Sequence, residues 1–153
     1  MLDKNTTLTV ICPVFNESEV IDKFYSELTN VLLTLRQDLN YKILFIVDKC
    51  TDNTVEILSK IAQLDSKVQL IILSARFGHQ MSLVAGIDNS DSDMILMMDS
   101  DLQHPPELIP KLLEEYEKGF DLVYTIREEP KDSNPIKRLG SNLFYKIMSW
   151  LAE

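Results

Sequence analysis

Two carboxylates separated by one residue follow a strongly apolar run in the second half of the chain. Asp99 and Asp101 stand directly after the run MILMM, and the amide of Gln103 comes two residues later. Oxygen donors at this spacing, at the end of an extended segment, can converge on one hard divalent cation, Mg²⁺ or Mn²⁺. Such a cation would neutralise a diphosphate and stabilise a nucleoside-diphosphate leaving group. The alternative is that the two acids are loop and cap residues ahead of a helix near Pro106, which is the usual role of an isolated pair.

Two histidines are weaker candidates for the same chemistry. His79 and His104 each stand where a turn leads into a predicted helix. Either imidazole could transfer a proton or coordinate a metal ion, although a solvated or hydrogen-bonded histidine is the commoner case in such segments. No serine or cysteine with a partnering histidine is evident in the sequence, so nothing indicates covalent catalysis.

Five strand–helix units are predicted to position these residues. Each unit begins with a short apolar run and continues into a segment with apolar residues at helical spacing. The predicted strands are 8–12, 42–47, 68–73, 94–98 and 121–125, and the helices that follow them are 17–35, 53–64, 78–88, 106–118 and 136–151. Runs such as ILFIV and MILMM are apolar on both faces, as in parallel strands that helices cover on both sides. We therefore predict an α/β fold with a mostly parallel, doubly wound sheet of about five strands and helices on both faces.

The residues just after these strands are the most informative, because ligands of doubly wound sheets bind in the crevice beyond the carboxyl ends of the strands. Polar and charged residues gather there, whereas the opposite strand ends carry plain connections. The clustered positions are Asn16, Glu17, Asp48, 75–80, 99–103 and Arg127. The sequence thus predicts one site at one edge of the sheet.

Composition and charge limit the classes of partner. The 153 residues are 45% hydrophobic and 25% charged, which is typical of one globular domain spanning residues 1–153. The net charge of −9, without a basic stripe, argues against nucleic acid as a partner.

The cysteines and the apolar stretches bear on the location of the chain. Cys12 and Cys50 are far apart and favour a reducing cytoplasm over a disulfide framework. No apolar stretch reaches the ~20 residues that a membrane-spanning helix needs.

The motifs of the chain, taken together and in order, resemble those of the family 2 glycosyltransferases. They are PVFNE after the first predicted strand, Asp48 after the second, FGHQ after the third and DSDLQHPPEL after the fourth. The similarity is greatest to the polyprenyl-phosphate type, which includes dolichyl-phosphate mannose synthase and bacterial undecaprenyl-phosphate glycosyltransferases. It runs from about Thr9 to Trp150. The resemblance implies a Rossmann-like GT-A domain, of which this chain would be the N-terminal, nucleotide-sugar-binding part.

The resemblance implies nucleotide binding by residues that follow the first, second and fourth strands. The matching residues are Pro13, Val14, Glu17, Asp48, Asp99 and Ser100. Among them, Asp48 matches an acid that contacts the base, and its carboxylate could accept a hydrogen bond from a base N–H.

The metal and catalytic roles implied by the resemblance fall on four residues. Asp99, Asp101 and Gln103 match a metal-binding DxDxQ pattern, and the implied cofactor is Mg²⁺ or Mn²⁺. Arg127 matches a basic residue that pairs with phosphate. Asp101 and Arg127 are therefore the expected catalytic residues. An aromatic pair, Phe144 and Tyr145, matches a helix that lies near the membrane in the family.

Three departures from the family pattern affect these expectations. Lys49 follows Asp48 where the family usually has a second acid, which reverses a charge beside the expected nucleotide. Ala75 and Arg76 stand where the family usually has Arg-Asn, so a phosphate role for Arg76 is left open. The sequence also stops before the family's acceptor-side motif and its C-terminal transmembrane helices.

The implied reaction is metal-dependent, inverting transfer of a sugar from a nucleoside-diphosphate sugar to a polyprenyl phosphate lipid. It would take place in the cytoplasm, at the inner face of the membrane in any full-length form. Contact with a membrane surface and homo-oligomerisation are left open. The alternative is a nucleotide-sugar-binding or interaction module without turnover, because the acceptor side is missing. A phospho-acceptor receiver domain fits poorly, since it needs an acid pair at Asn16 and Glu17 and a lysine near Arg127.

Overall fold

A computed structural model of the chain describes residues 6–35 and 39–126. Within them the four strands and four α-helices alternate. The strands are β1 (Thr7–Val14), β2 (Asn40–Val47), β3 (Val68–Ile72) and β4 (Met94–Met97). The helices are α1 (Ile21–Thr34), α2 (Thr54–Leu64), α3 (His79–Asp88) and α4 (Ile109–Glu117), and a 3₁₀ turn, Pro106–Leu108, leads into α4. No helix of this described part is both long and apolar enough to cross a membrane.

The four strands form one parallel sheet in the order β3-β2-β1-β4. The chain steps outward from β1 to β2 to β3, and then crosses back to place β4 on the other side of β1. The strand order therefore reverses between β1 and β4, which is where open parallel sheets form their ligand-binding crevice. The predicted α/β fold with a parallel sheet is confirmed.

The larger core lies on the face of the sheet that α1 and α2 cover. Phe24 of α1 packs edge-on against Phe45 of β2, with 6.4 Å between ring centroids. Leu28, Leu58 and Ile109 are also fully buried on this side. Each such side chain contributes about 1.5–3 kcal/mol by leaving water. This face supplies most of the hydrophobic stabilisation of the described fold.

The opposite face is covered by α3, which sits very close to the sheet. A small cluster of Ile11, Leu44 and Ile46 packs against this helix. Gly86 makes the approach possible, because a Cβ at this position would collide with Cγ2 of Ile11 and lie 3.3 Å from Cγ1 of Ile46. Parallel strands connected by right-handed crossovers require helices on both faces once the strand order reverses. The sequence prediction of helices on both faces is confirmed.

β1 continues past residue 12, where the predicted strand ends, through Pro13 to Val14. Neighbouring backbone groups show why a proline is tolerated in a central strand. Ile11 accepts a hydrogen bond from Met98 on the β4 side, and Val14 accepts one from Asp48 on the β2 side. By alternation the nitrogen of Pro13 faces the β4 side, where strand pairing has already ended, so no ladder bond is lost.

The predicted fifth strand at 121–125 is wrong within the described residues. Residues 122–126 have no strand pairing, and Leu122, Tyr124 and Ile126 are 71–78% exposed. A strand needs a backbone partner as well as apolar alternation, and no pairing is found here for the outer edge of β4. The chain also divides after Val123 into two compact units, and the second is described only for residues 124–126. The predicted helix 136–151, with Phe144 and Tyr145, lies outside the described residues.

The close contact at Gly86 predicts a stability loss on a minimal substitution. Gly86→Ala should destabilise the chain by ~1–3 kcal/mol through overpacking, although alanine is intrinsically better in a helix by ~1 kcal/mol. Chemical denaturation measures the change. The loss should shrink in an Ile11→Ala background, where the colliding atoms are gone. A Gly86→Ala chain more stable than the parent would contradict the close packing.

Candidate active site

A cavity of about 320 Å³ lies at the carboxyl ends of the strands, at the edge of the sheet that the sequence predicts. Its volume is within the range of small-ligand sites. The residues that line it are Pro13, Val14, Phe15, Glu17, Asp48, Arg76, Gly78, His79, Ser82, Asp99, Ser100 and Asp101. All of the predicted nucleotide-binding residues are therefore brought together, with Asp101 beside them. Gln103 is not part of the lining, and Arg127 lies outside the described residues.

The end of β1 and the segment after β4 are joined at the base of the cavity. The Ser100 hydroxyl donates to the carbonyl oxygen of Pro13 at 3.0 Å, and Ser100 is 3% exposed. This side-chain bond replaces the strand pairing that has ended on the β4 side. It fixes Asp99 and Asp101, the two neighbours of Ser100, relative to β1.

The loops after β1 and β2 are joined by a row of hydrogen bonds. The backbone N–H of Thr51 donates to Oδ1 of Asn16 at 2.8 Å, and the N–H of Glu17 donates to Oγ1 of Thr54 at 2.9 Å. Asn16 has a φ of 56°, a left-handed conformation that asparagine adopts more readily than most residues. The wall of the cavity that carries Glu17 is therefore held by the start of α2.

Asp52 anchors this row. One carboxylate oxygen accepts from the N–H of Ser18 at 3.1 Å, and the other accepts from both the N–H and the hydroxyl of Thr54. Burial raises the pKa of Asp52, but the hydrogen bonds from Thr54 and Ser18 outweigh it and lower the pKa to about 2. The sequence analysis did not single out Asp52. The sequence feature that could have identified Asp52 is the run Asp52-Asn53-Thr54 directly ahead of a helix, since such side chains often hydrogen-bond to nearby backbone N–H groups.

Asp48 acts as a clamp on the loop that follows β3. Its carboxylate accepts three backbone N–H groups, from Lys49 at 2.9 Å, from Phe77 at 3.0 Å and from Gly78 at 2.9 Å. Burial raises its pKa, and these bonds, with the nearby charge of Arg76, lower it below its ordinary value. A carboxylate offers about four acceptor positions, so one is left for a further donor such as a base N–H.

The unusual residue Lys49 does not bring its charge into the cavity. Its backbone N–H bonds to Asp48, whereas the residue is exposed and is not part of the lining. The charge reversal noted in the sequence therefore falls outside the described cavity wall.

Arg76 is the one residue with a permanent positive charge among the described lining residues. Its guanidinium carbon lies 4.1 Å from the centre of the Phe15 ring, in a cation–π contact. The same wall holds four carboxylates, those of Glu17, Asp48, Asp99 and Asp101. Sequence analysis gave Phe15 no role beyond its place in the PVFNE motif and left the role of Arg76 open, because the two residues are 61 positions apart and only the fold stacks them.

The segment after β4 forms a turn, whereas the sequence analysis expected it to stay extended. Leu102 has a φ of 61°, which is strained for a branched side chain. The turn points the backbone N–H of Gln103 at Oδ1 of Asp101, at 2.9 Å. Gln103 therefore contacts Asp101 through its backbone in this structure.

Histidines flank Asp99 on two sides. Nε2 of His79 lies 2.8 Å from Oδ1 of Asp99, a hydrogen bond. Nδ1 of His104 lies 3.6 Å from Oδ2, beyond hydrogen-bonding distance. The two histidines therefore differ: His79 is hydrogen-bonded to Asp99 of the cavity, whereas His104 lies near Asp99 without a hydrogen bond to it.

The donor set fits a divalent cation that also uses ligand oxygens. In the described part of the chain, no three His, Cys, Asp or Glu side chains form a complete metal-binding group. Mg²⁺ commonly takes only one or two protein carboxylates and completes its shell with phosphate and water. Asp99 and Asp101 can supply the two carboxylates. Burial, and then the charges of Asp101 and Asp52, raise the pKa of Glu17. A cation between these acids would relieve that repulsion.

The chain belongs to the glycosyl transferase family 2. The pattern of that family matches residues 9–151, nearly the whole chain. An uncharacterized glycosyltransferase of Bacillus subtilis (strain 168), YkcC, is 32% identical over 152 residues, which is 99% of this chain and 46% of that protein. The undecaprenyl-phosphate 4-deoxy-4-formamido-L-arabinose transferase of Proteus mirabilis (strain HI4320) is 33% identical over 132 residues, 86% of this chain and 40% of that enzyme. The chain thus spans less than half the length of these relatives.

Solved structures support the same fold at lower identity. The mannosyltransferase PcManGT from Pyrobaculum calidifontis, in complex with GDP-Man and Mn²⁺, has a TM-score of 0.53 at 20% identity, over 61% of this chain and 27% of that one. TarS from S. aureus, in complex with UDP-GlcNAc, has a TM-score of 0.56 at 21% identity, over 74% of this chain and 32% of that one. At these identities the likeness shows the GT-A fold alone.

The bonds of Asp52 predict a specific acid sensitivity. Because its pKa is lower in the fold than its ordinary value of 3.8, Asp52 adds stability that is complete above that value and lost as pH falls toward about 2. Asp52→Asn should cost ~1–2 kcal/mol at neutral pH and should flatten the pH dependence in this window. Urea unfolding across the acidic range measures both effects.

Asp91→Asn is a suitable control for this prediction, because Asp91 is an exposed residue at the other end of the sheet. It should leave both the neutral stability and the acid slope near the parent values. Equal slopes in the Asp52→Asn and parent chains would contradict the anchoring role of Asp52.

Proposed function

We propose that this chain carries the donor site of an enzyme that transfers a sugar from a nucleoside-diphosphate sugar to a polyprenyl phosphate lipid, with inversion at the anomeric carbon and dependence on Mg²⁺ or Mn²⁺. The observation that carries the proposal is the convergence of Asp99, Asp101 and Glu17 with Asp48 in one cavity at the strand-order reversal. Family membership adds the class of reaction. The Proteus mirabilis relative is named for transfer involving undecaprenyl phosphate, which favours a lipid phosphate as acceptor.

The cavity offers distinct positions for the parts of a nucleotide. Asp48 has an acceptor position for a base N–H, and the Phe15–Arg76 pair provides an aromatic and cationic surface beside it. Pro13 and Val14 shape the wall at the end of β1. The complexes of the structural neighbours with GDP-Man and UDP-GlcNAc support this assignment of ligand class.

Asp99 and Asp101 would hold the divalent cation, with Gln103 as the third ligand that the resemblance implies. When bound, the cation neutralises the diphosphate and stabilises it as a leaving group. Gln103 reaches the site by its backbone in this structure, so its amide would need to turn inward. The Mn²⁺ of the mannosyltransferase complex supports this cofactor class.

The chemistry asked of the side chains is mainly electrostatic. An oxygen of the acceptor phosphate would form the new bond to the anomeric carbon while the bond to the diphosphate oxygen breaks, and the nucleoside diphosphate departs as an anion. A phosphate acceptor is already ionised near neutral pH, so no strong general base is required. Arg76 can balance charge on the departing phosphates, and Arg127 is proposed, from the resemblance alone, to do the same.

The location of the reaction follows from the acceptor. A polyprenyl phosphate lies in a membrane, so we place the full-length protein in the cytoplasm at the inner membrane face. Homo-oligomerisation is an open part of the proposal.

A nucleotide-sugar-binding or interaction module without turnover is the second candidate. The observation that favours it is that the described cavity gathers only residues assigned to the donor and its cation. The chain spans 46% of the length of YkcC and 40% of the Proteus mirabilis enzyme. Both candidates require the donor cavity, so donor binding and turnover must be measured separately.

Metal-dependent nucleotide binding tests the donor site. Thermal melting with UDP-, GDP- and CDP-linked sugars, with and without Mn²⁺, should show one nucleotide that stabilises the chain only when Mn²⁺ is present. At ligand about 100-fold above Kd, the stabilisation is ~2.7 kcal/mol. Asp101→Asn should abolish the metal-dependent part with the fold intact, whereas the exposed Asp91→Asn should keep it. Equal stabilisation of both variants would contradict the assignment.

Turnover is tested with the nucleotide sugar that binds. Transfer of labelled sugar to undecaprenyl phosphate in detergent is expected for the enzyme, and the label should move to the organic phase. Donor binding without any transfer by this chain would favour the module. The absence of both donor binding and transfer would refute both candidates.

A further inference from the structure

We infer that His79 is a positioning residue for Asp99: it fixes the orientation of this carboxylate across the cavity and does not itself bind the metal ion. The consequence for ligand binding rests on the proposed function. The contact itself rests on the geometry of the described fold.

The contact determines the direction of a hydrogen bond. Nε2 of His79 is 2.8 Å from Oδ1 of Asp99. A carboxylate can only accept, so Nε2 must carry the hydrogen and donate it. The bond commits Oδ1 and leaves Oδ2 of Asp99 for another partner, because His104 is 3.6 Å from Oδ2.

The position of His79 is set by the clamp on the preceding loop. His79 is the first residue of α3, and Gly78 before it has a φ of 84°, which favours glycine. Asp48 holds the N–H groups of Phe77 and Gly78. A line of hydrogen bonds therefore runs from the end of β2, through the start of α3, to Asp99 after β4. It passes over the end of β1, which lies between β2 and β4 in the sheet.

The charge of the cavity explains why such a restraint is useful. Asp99 shares the lining with three other carboxylates and one guanidinium. Without a donor, mutual repulsion would favour rotamers of Asp99 that turn away from Asp101 and Glu17. The imidazole N–H offsets that repulsion while leaving one oxygen available. Losing a partner that orients a ligand carboxylate typically lowers metal affinity by about 10–100-fold.

The first experiment measures Mn²⁺ affinity by electron paramagnetic resonance, in the presence of whichever of UDP or GDP the parent chain binds. His79→Leu should weaken Mn²⁺ binding by about tenfold or more. His79→Gln, whose side-chain amide can donate from a similar place, should recover most of the affinity. His104→Leu is the matched control, because His104 is similarly exposed but not hydrogen-bonded to Asp99.

The second experiment observes the contact without metal or nucleotide. Proton–nitrogen correlation spectra of the histidine side chains, at mildly alkaline pH, should show His79 with its hydrogen on Nε2. Asp99→Ala should change the Nε2 signal of His79, whereas Asp91→Ala should not. This measurement still tests the His79–Asp99 contact if the parent chain binds no nucleotide. In that case the proposed function fails, and the spectra alone decide whether the contact is formed.

Three results would overturn the inference. Parent-like Mn²⁺ affinity in His79→Leu would show that the bond does not matter for the site. Equal losses in His79→Leu and His79→Gln, together with loss of the Nε2 hydrogen signal of His79 when diamagnetic Mg²⁺ binds, would show that His79 is a metal ligand instead. A His79 signal indifferent to Asp99→Ala would show that the contact is not formed. Melting temperatures near that of the parent establish that each variant is folded.

Discussion

The site depends on the reversal of strand order at β1. Because β4 pairs with β1 only as far as Met97, the last residues of β1 lose their neighbour on that side while still paired to β2. The backbone there must be satisfied in another way. Pro13 has no N–H to satisfy, and Ser100 supplies a donor to its carbonyl. The same interruption opens the crevice and fixes Asp99 and Asp101 at its edge.

Carboxylates around this crevice divide into those that hold the loops of the protein and those that face the open cavity. Asp52 and Asp48 hold neighbouring loops through three hydrogen bonds each, and both have a lowered pKa, while Asp48 keeps one acceptor position toward the cavity. Asp101 has only one hydrogen bond in the described structure, from Gln103, and Glu17 has a raised pKa. The first pair builds two loops into rigid walls, and the second pair leaves negative charge unbalanced. A cation and a polyphosphate would complete that arrangement.

Rigid walls have a direct bearing on the proposed chemistry. Transfer of a sugar from a diphosphate to an acceptor phosphate requires mainly that the protein hold charges in place. Fixed dipoles and charges do this best when they reorganise little after the ligand binds. The line of hydrogen bonds from Asp48 through His79 to Asp99 meets that requirement with residues from three separate strand ends. Gly86 has a related function on the α3 face, because its missing side chain lets the helix that carries His79 lie close to β1.

The sequence by itself determined the alternation of strands and helices, the parallel sheet and the family, because these follow from local periodicity and from short motifs such as DSDLQHPPEL. It also identified most of the lining, since residues after parallel strands must meet at one edge. Only the tertiary structure decided the Phe15–Arg76 stack, the anchoring by Asp52, the different surroundings of His79 and His104, and the absence of strand pairing at 121–125. Each of these depends on a partner distant in sequence or on a neighbouring strand, and neither local periodicity nor residue type specifies such a partner.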